Sequence, residues 1–293
     1  MILQILNGLG LGSIYALVAL GYTMVYGIAL LINFAHGEII MVGSYVVLFS
    51  SQLFLSKVGL PLWLSVFPAI LVCGLLGFLI EKIAYRPLRN SPRISNLITA
   101  IGVSLLLQNV MMKIFGAGAR SVQSIFKREP IKLGNMEVPY VTVITIVVTI
   151  ALTIALQLFM KKTKYGKAML ATSEDYKAAG LIGINIDTSM SLTFIIGSAL
   201  AGVASLLYMA TYSQATPLMG SMLGIKAFTA AVIGGIGLIP GAVFGGLLLG
   251  VVETLTRAYI SSKLADAIVF GILIIVLLIK PAGLLGKNVK EKV

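Results

Sequence analysis

The chain has 293 residues, of which 58% are hydrophobic and only 11% charged, against roughly 25% charged in an ordinary soluble domain. That composition excludes a soluble globular enzyme and predicts an all-α, polytopic membrane helix bundle. The net charge of +12 would point to nucleic acid in a soluble protein, but here Lys and Arg lie between apolar runs, with no nucleic-acid motif or basic domain, so the excess reads as a topology signal.

A helix needs roughly 20 mainly apolar residues to cross the hydrocarbon. Runs near that length lie at about 8–32, 38–56, 62–82, 94–112, 140–160, 189–212, 225–239, 241–256 and 264–279, giving 8 to 9 spans. No basic segment precedes the first run and no cleavage pattern follows it, which predicts a retained helix and not a signal peptide. It carries Gly8, Gly12 and Ala16 at helix-packing spacing, with Tyr15, Tyr22 and Tyr26 as core or interfacial aromatics.

Between the first two runs lies "NFAHGE", residues 33–38. His36 is the sole histidine, and Glu38 is the only formally charged side chain before Lys57. A buried charge is costly unless paired or wetted. One reading breaks the helix here: Gly37 is the hinge, Glu38 enters the first turn of the next helix, and Asn33 and His36 satisfy freed backbone groups, so that all four line or support a translocation path. The other makes the segment a structural joint that touches no substrate.

Cys73, the one cysteine, reads as small core filler. Lys82, Arg86, Arg89 and Arg93 crowd the next loop, and Gln108 and Asn109 in the fourth run are expected to bond across helices. The loop at 113–139 carries Lys113, Arg120, Lys127, Arg128 and Lys132, yet alternation places it outside. Residues 161–190 are basic again, and their middle predicts a short amphipathic helix. Ser173, Glu174 and Asp175 suit its start, Ala178, Ala179, Leu181 and Ile182 its apolar side, and Gly183 its stop. Such a helix either docks in a partner's groove or lies on the bilayer surface.

The seventh and eighth runs flank "IGGIGLIPGA", residues 233–242, which predicts a tight turn or a broken or re-entrant Gly-rich hairpin. Gly241 with Gly245, Gly246 with Gly250 and Gly197 with Ala201 repeat the small-residue spacing. Lys226 and Glu253 either pair or reach the interface. Lys280, Lys287, Lys290 and Lys292 close the chain. With the loops after the third and fifth runs and this tail in the cytoplasm, the nine runs thread consistently.

Gly166-Lys167 precedes Ala168 and Gly286-Lys287 precedes Asn288, so no nucleotide loop can hold magnesium through Ser or Thr. A single histidine rules out the two-histidine zinc motif, and an intramembrane hydrolase would have to use Ser44, His36 and Glu38. No catalytic, cofactor-binding or metal-binding residue is therefore predicted. Movement against a gradient would draw on an ion or on a separate ATPase.

Five segments in order, "INFAHGEIIMVGSY", "AYRPLRNSP", "IGVSLLLQN", "SEDYKAAGLIGIN" and "GIKAFTAAVIGGIGLIPGAVFGG", resemble the membrane permeases of branched-chain amino acid ABC importers, in particular the shorter, LivH type of the two paired permeases. The resemblance implies one transmembrane permease domain over residues 1–293 in the bacterial inner membrane, with a cytoplasmic coupling loop at about 161–188 and a cytoplasmic tail at 280–293. It implies that residues 171–185 seat in a cleft of the ATPase, with Asp175, Ala178, Ala179, Gly183 and Asn185 contacting it or shaping the contact. Leu170 stands where members of the family often carry Arg, leaving Lys167 as the nearby cation. The implied partners are a second permease in a heterodimer, two ATP-hydrolysing subunits, an extracytoplasmic substrate-binding protein and membrane lipid, with no cofactor and no nucleic acid. Leucine, isoleucine and valine are implied by resemblance alone. Urea, amides and sugars, carried by related permeases, stay open, although "NFAHG" with Phe34 is closer to the amino acid branch. From the residues themselves, a solitary ion-driven carrier using Glu38, with Glu253 the other available acid, is the competing reading.

Overall fold

The computed structural model describes residues 1–286 apart from Asn90, Gln123, Lys127, Arg128, Gly134 and Asn135. Lys287, Lys290 and Lys292 of the tail, and Lys127 and Arg128 of the 113–139 loop, thus lie outside the described residues. The helices are α1 (Ile2–Ala29), α2 (His36–Val58), α3 (Val66–Leu79), α4 (Arg93–Phe115), α5 (Tyr140–Lys162), α6 (Lys164–Glu174), α7 (Tyr176–Leu181), α8 (Ile186–Tyr212), α9 (Met219–Gly234), α10 (Ile239–Tyr259) and α11 (Ala265–Ile279). A 3-10 turn, Leu62–Ser65, opens α3. A π turn, Ile80–Tyr85, and a second 3-10 turn, Arg86–Leu88, continue it.

Each of the nine apolar runs falls on a helix. Among the described residues, six helical stretches are long and apolar enough to cross a membrane: Ile2–Ala29, Leu62–Leu88, Ile94–Phe115, Tyr140–Lys162, Ile186–Tyr212 and Ile239–Tyr259. The expected all-α class needs one amendment, because two small antiparallel ladders decorate one end. In the first, β1 (Arg120–Ser121) pairs with β4 (Gln214–Ala215); in the second, β2 (Ile131–Leu133) pairs with β3 (Met136–Val138). The first ladder ties the 113–139 loop to the α8–α9 connection, reinforced by a Val122 N–H bond to the Ser213 carbonyl at 3.0 Å. That places the loop at the opposite end of the bundle from residues 161–190, as alternation requires.

Helix α1 is the hub. Apolar side chains gain little by leaving lipid for one another, so helices there associate through close backbone approach. On α1 this falls to Gly8, Gly12 and Ala16. A Cβ on Gly8 would run into the Val251 backbone, one on Gly12 into the Gly246 carbonyl, and one on Gly246 into the Ala16 backbone. Farther along, Gly21 faces Gly197 of α8, and the middle of α1, Ile14 to Leu20, is almost wholly buried. Helix α3 meets α8 by the same device, Gly77 against Ser198 and Gly202 against Ala69. Cys73 fills this region as expected, its Sγ 3.4 Å from the Ile39 carbonyl.

The Gly-rich segment forms a helical hairpin. Helices α9 and α10 turn over Gly235–Leu238, where Gly235 (φ 109°) and Gly237 (φ 92°) supply left-handed backbone that other residues resist. The chain after α11 folds back over the turn. There the N–H groups of Leu284 and Leu285 bond the Ile233 and Gly234 carbonyls at 2.7 and 3.1 Å, satisfying acceptors that a helix end leaves open.

Helix α4 is attached differently. Asn96, Ala100 and Gln108 are buried along one stripe, whereas Ile94, Ile98, Ile101, Leu105, Leu106 and Ile114 are exposed.

Gly246→Val, overpacking the α1–α10 crossing, is expected to destabilise by about 1–3 kcal/mol or more. Gly102→Ala, at a site with open space around it, is expected to be neutral or slightly stabilising. Thermal unfolding midpoints of the detergent-solubilised variants check this, and equal midpoints for the two would contradict the crossing.

Candidate functional site

The polar knot sits at a real interruption. Helix α1 ends in Leu30, which turns left-handed (φ 53°) with its N–H 2.9 Å from the Tyr26 carbonyl, and α2 starts at His36. Asn33 organises the gap. Its Oδ1 accepts from the Ala35 N–H and the Tyr85 hydroxyl, both at 3.1 Å, and its carbonyl accepts from the His36 N–H at 3.0 Å. The His36 ring plugs the notch left by Gly21, where any Cβ would collide with Nε2, and lies edge-on to Tyr22 with centroids 4.9 Å apart.

Gly37 is not in the break. It lies in the first turn of α2 against Gly220 and Gly224 of α9, where a Cβ would strike the Gly220 carbonyl. Its task here is close packing, and the reversal of direction falls to Leu30 instead.

Glu38 occupies the first turn of α2 and is 1% exposed. Its Oε1 accepts from Gln108 Nε2 at 2.7 Å, Ser221 Oγ at 3.1 Å and Ser104 Oγ at 3.3 Å. Oε2 is buried beside Gly220 with no donor among the described residues. Hydrogen bonds and the positive end of the α2 dipole thus stabilise this carboxylate, and it forms no ion pair among the described residues. Gln108 bonds across helices as expected, whereas Asn109 donates within its own helix, to the Leu105 carbonyl at 2.7 Å. Among the described residues Ser44 Oγ and His36 Nε2 have no hydrogen-bond partner, so Ser44, His36 and Glu38 do not assemble into a triad.

The loop after α5 holds two helices where one was expected. Ser173 and Glu174 finish α6, which packs on the end of α5 through Gly166; the second helix, α7, starts at Asp175. Asp175 Oδ1 caps it by accepting from the N–H groups of Lys177 and Ala178 at 2.8 and 3.0 Å. Gly183 ends it at φ 85°, with the Ile184 N–H bonded to the Ala179 carbonyl at 3.0 Å. Asn185 then caps α8 by accepting from the Thr188 N–H at 3.0 Å. The expected apolar side divides: Ala179 is buried against the protein, while Ala178 is exposed beside Leu181 and Ile182, which are 90% and 76% exposed. Leu170 is partly exposed on α6.

Two ion networks were not legible as such. In the first, the buried Glu81 of the π turn holds Arg86 and Arg89, both at 3.1 Å, and accepts from Ser191 Oγ of α8 at 2.7 Å. The same arginines reach Asp187, in the first turn of α8, at 3.5 and 2.6 Å. An acid inside an apolar run was the available signal, but Arg86 and Arg89 read only as topology charges. In the second, Lys226 pairs with the fully buried Glu253 at 2.7 Å and with Asp266 at 2.6 Å, while Tyr15 and Arg257 also donate to Glu253. The pairing of Lys226 with Glu253 that the sequence left open is thereby made.

A family model described as "branched-chain amino acid transport system / permease component" matches residues 4–278. The high-affinity branched-chain amino acid transport system permease protein LivH of Salmonella typhimurium is 46% identical over 300 residues, covering 99% of this chain and 97% of its own. The protein of the same name from Escherichia coli K12 is 45% identical with the same coverage. The corresponding BraD of Pseudomonas aeruginosa is 43% identical over 299 residues, again covering 99% and 97%.

Gly183→Ala is expected to cost about 1–2 kcal/mol of loop order, because it forces a Cβ into left-handed backbone. Asp175→Ala should cost about 0.5–2 kcal/mol through the lost cap. Amide hydrogen exchange over residues 176–184 should accelerate in both, and unchanged exchange would mean that these caps do not hold the loop.

Proposed function

The chain belongs to the family of branched-chain amino acid transport permease components, and we propose that it is the membrane subunit through which an ATP-driven importer passes leucine, isoleucine and valine. The family match over residues 4–278 carries this reading. The capped helix α7, with Leu181 and Ile182 turned outward, supports the coupling half of it, since an exposed apolar tip on a rigid mount suits a partner's groove.

In this reading all nine apolar runs, α2, α9 and α11 included, lie in the membrane, and the α9–α10 hairpin turns within it. Residues 1–293 are one permease domain, and residues 161–188 and 280–293 face the cytoplasm. The protein works beside a second permease, two ATP-hydrolysing subunits and an extracytoplasmic binding protein that chooses the substrate. ATP closes the ATPase pair, and the cleft that receives α7 moves. Asp175, Gly183 and Asn185 keep α7 and the start of α8 one stiff piece, so the push enters the bundle and is not absorbed in the loop. Ala179 seats that piece on the protein, and Ala178 belongs to the face presented to the ATPase. Each ligand then biases the inward-open and outward-open states only by its differential affinity for them.

Asn33, His36, Gly37 and Glu38 support the path. They fix where α1 gives way to α2, and Glu38 offers a buried carboxylate oxygen with no donor among the described residues, suited to a passing polar group.

Labelled leucine uptake in cells lacking the gene tests the reading. The native chain should restore uptake, and an equally abundant Gly183→Glu variant should lower it at least about fivefold, the lower range of coupling between sites. No restoration by the native chain with its partners present would sink the substrate; equal restoration by both would sink the coupling loop. Separately, Glu38→Gln is expected to reduce uptake at unchanged abundance. Full uptake, together with loss of the fold in Gly37→Val, would leave the 33–38 segment as a joint only.

A further inference from the structure

We infer that Glu81, Arg86, Arg89 and Asp187 form an ionic relay, carrying the displacement of the coupling loop from the start of α8 into the cytoplasmic end of α3. The inference rests on the reading that α7 docks on an ATPase, and goes beyond it by naming where the push travels next.

The capped turn from Gly183 to Asn185 leaves little slack between α7 and α8, so a displaced α7 takes the first turn of α8 with it. Asp187 is in that turn. Its two carboxylate oxygens take separate arginines, Arg89 on Oδ1 at 2.6 Å and Arg86 on Oδ2 at 3.5 Å. Arg86 opens the 3-10 turn that prolongs α3 and Arg89 directly follows it, and both are gripped from the other side by Glu81, each at 3.1 Å. Ser191, one turn beyond Asp187, also donates to Glu81 at 2.7 Å. The start of α8 is therefore fastened to the end of α3 at two levels.

The receiving end is built to yield. Glu81 lies in the π turn Ile80–Tyr85, where the backbone has slipped out of α-helical register, a feature that recurs at functional sites in helices. Tyr85 of the same turn donates to Asn33 at 3.1 Å, so the relay's far end touches the break between α1 and α2. The burial gradient fits as well. The Glu81 side chain is 2% exposed and that of Asp187 51%, anchoring one end firmly and leaving the other wet and free to re-pair.

Asp187 is also the member that can be altered without stranding a buried charge, since Glu81 keeps both arginines and Ser191. The experiment is leucine moved per ATP hydrolysed in proteoliposomes holding the complete importer with its binding protein. Asp187→Asn should keep ATP hydrolysis, stimulated by the loaded binding protein, within about twofold of native, yet lower leucine per ATP at least about fivefold. Asp187→Glu should recover most of that ratio. An unchanged ratio in Asp187→Asn would overturn the relay, whether or not hydrolysis and transport fall together, because a merely structural role predicts that parallel loss. Failure of Asp187→Glu to recover the ratio would overturn it too. If the native assembly itself hydrolyses ATP and moves no leucine, the import reading falls first and the relay with it.

Discussion

Backbone against backbone, where α1 crosses α10, is the contact that the rest of this bundle presupposes. In water, burial of apolar area would hold two such helices together. In lipid that drive is absent, so association depends on how near the chains can come. Gly8 and Gly12 on one side and Gly246 and Gly250 on the other bring the two backbones into contact, with the Ala16 methyl set against Gly246. With α10 seated there, the opposite flank of α1 is free to take α8 at Gly21 and the His36 ring beside it. The break after Ala29 is thus positioned by packing laid down far from it in sequence.

Three buried carboxylates show three ways of keeping an acid inside such a bundle, where an isolated charge would cost many kcal/mol. Glu253 is matched by Lys226 and Arg257 and takes the Tyr15 hydroxyl. Glu81 is matched by two arginines and Ser191. Glu38 has only neutral donors on one oxygen. The first two are fully provided for, and removing one partner from such a set typically costs 3–5 kcal/mol, roughly a third or more of a domain's stability. The third is provided for on one side alone, which sets it apart as the acid with capacity to spare.

Much of this was written in local pattern. Apolar run length located each of the six helices long and apolar enough to cross a membrane among the described residues, because the bilayer imposes that length one segment at a time. Asp175 and Gly183 were recognisable because caps and left-handed stops are local chemistry, whereas Asn185 entered only through the family resemblance. The break was legible too, though assigned to Gly37, since glycine is the usual hinge and nothing in the sequence marks Leu30 as the residue forced to positive φ. Helix α6 was missed because Gly166 looks like a breaker until α5 is seen pressing against it. Partner choice was the least accessible. Glu81 and Ser191 stand 110 positions apart, and Arg120 pairs with Ala215 across a comparable gap. Only the folded topology brings such residues together.

The centrality of α1 also sets a schedule for biosynthesis. It leaves the ribosome long before α10, yet its Tyr15 bonds Glu253, 238 positions later, and its glycine face is covered only when α10 arrives. At roughly 5–20 residues per second, α1 waits in the bilayer for a time on the order of tens of seconds with its contact face uncovered. A nascent chain halted before α10 lacks the crossing altogether, and α1 is then open to whatever insertion factor or protease reaches its bare glycines first.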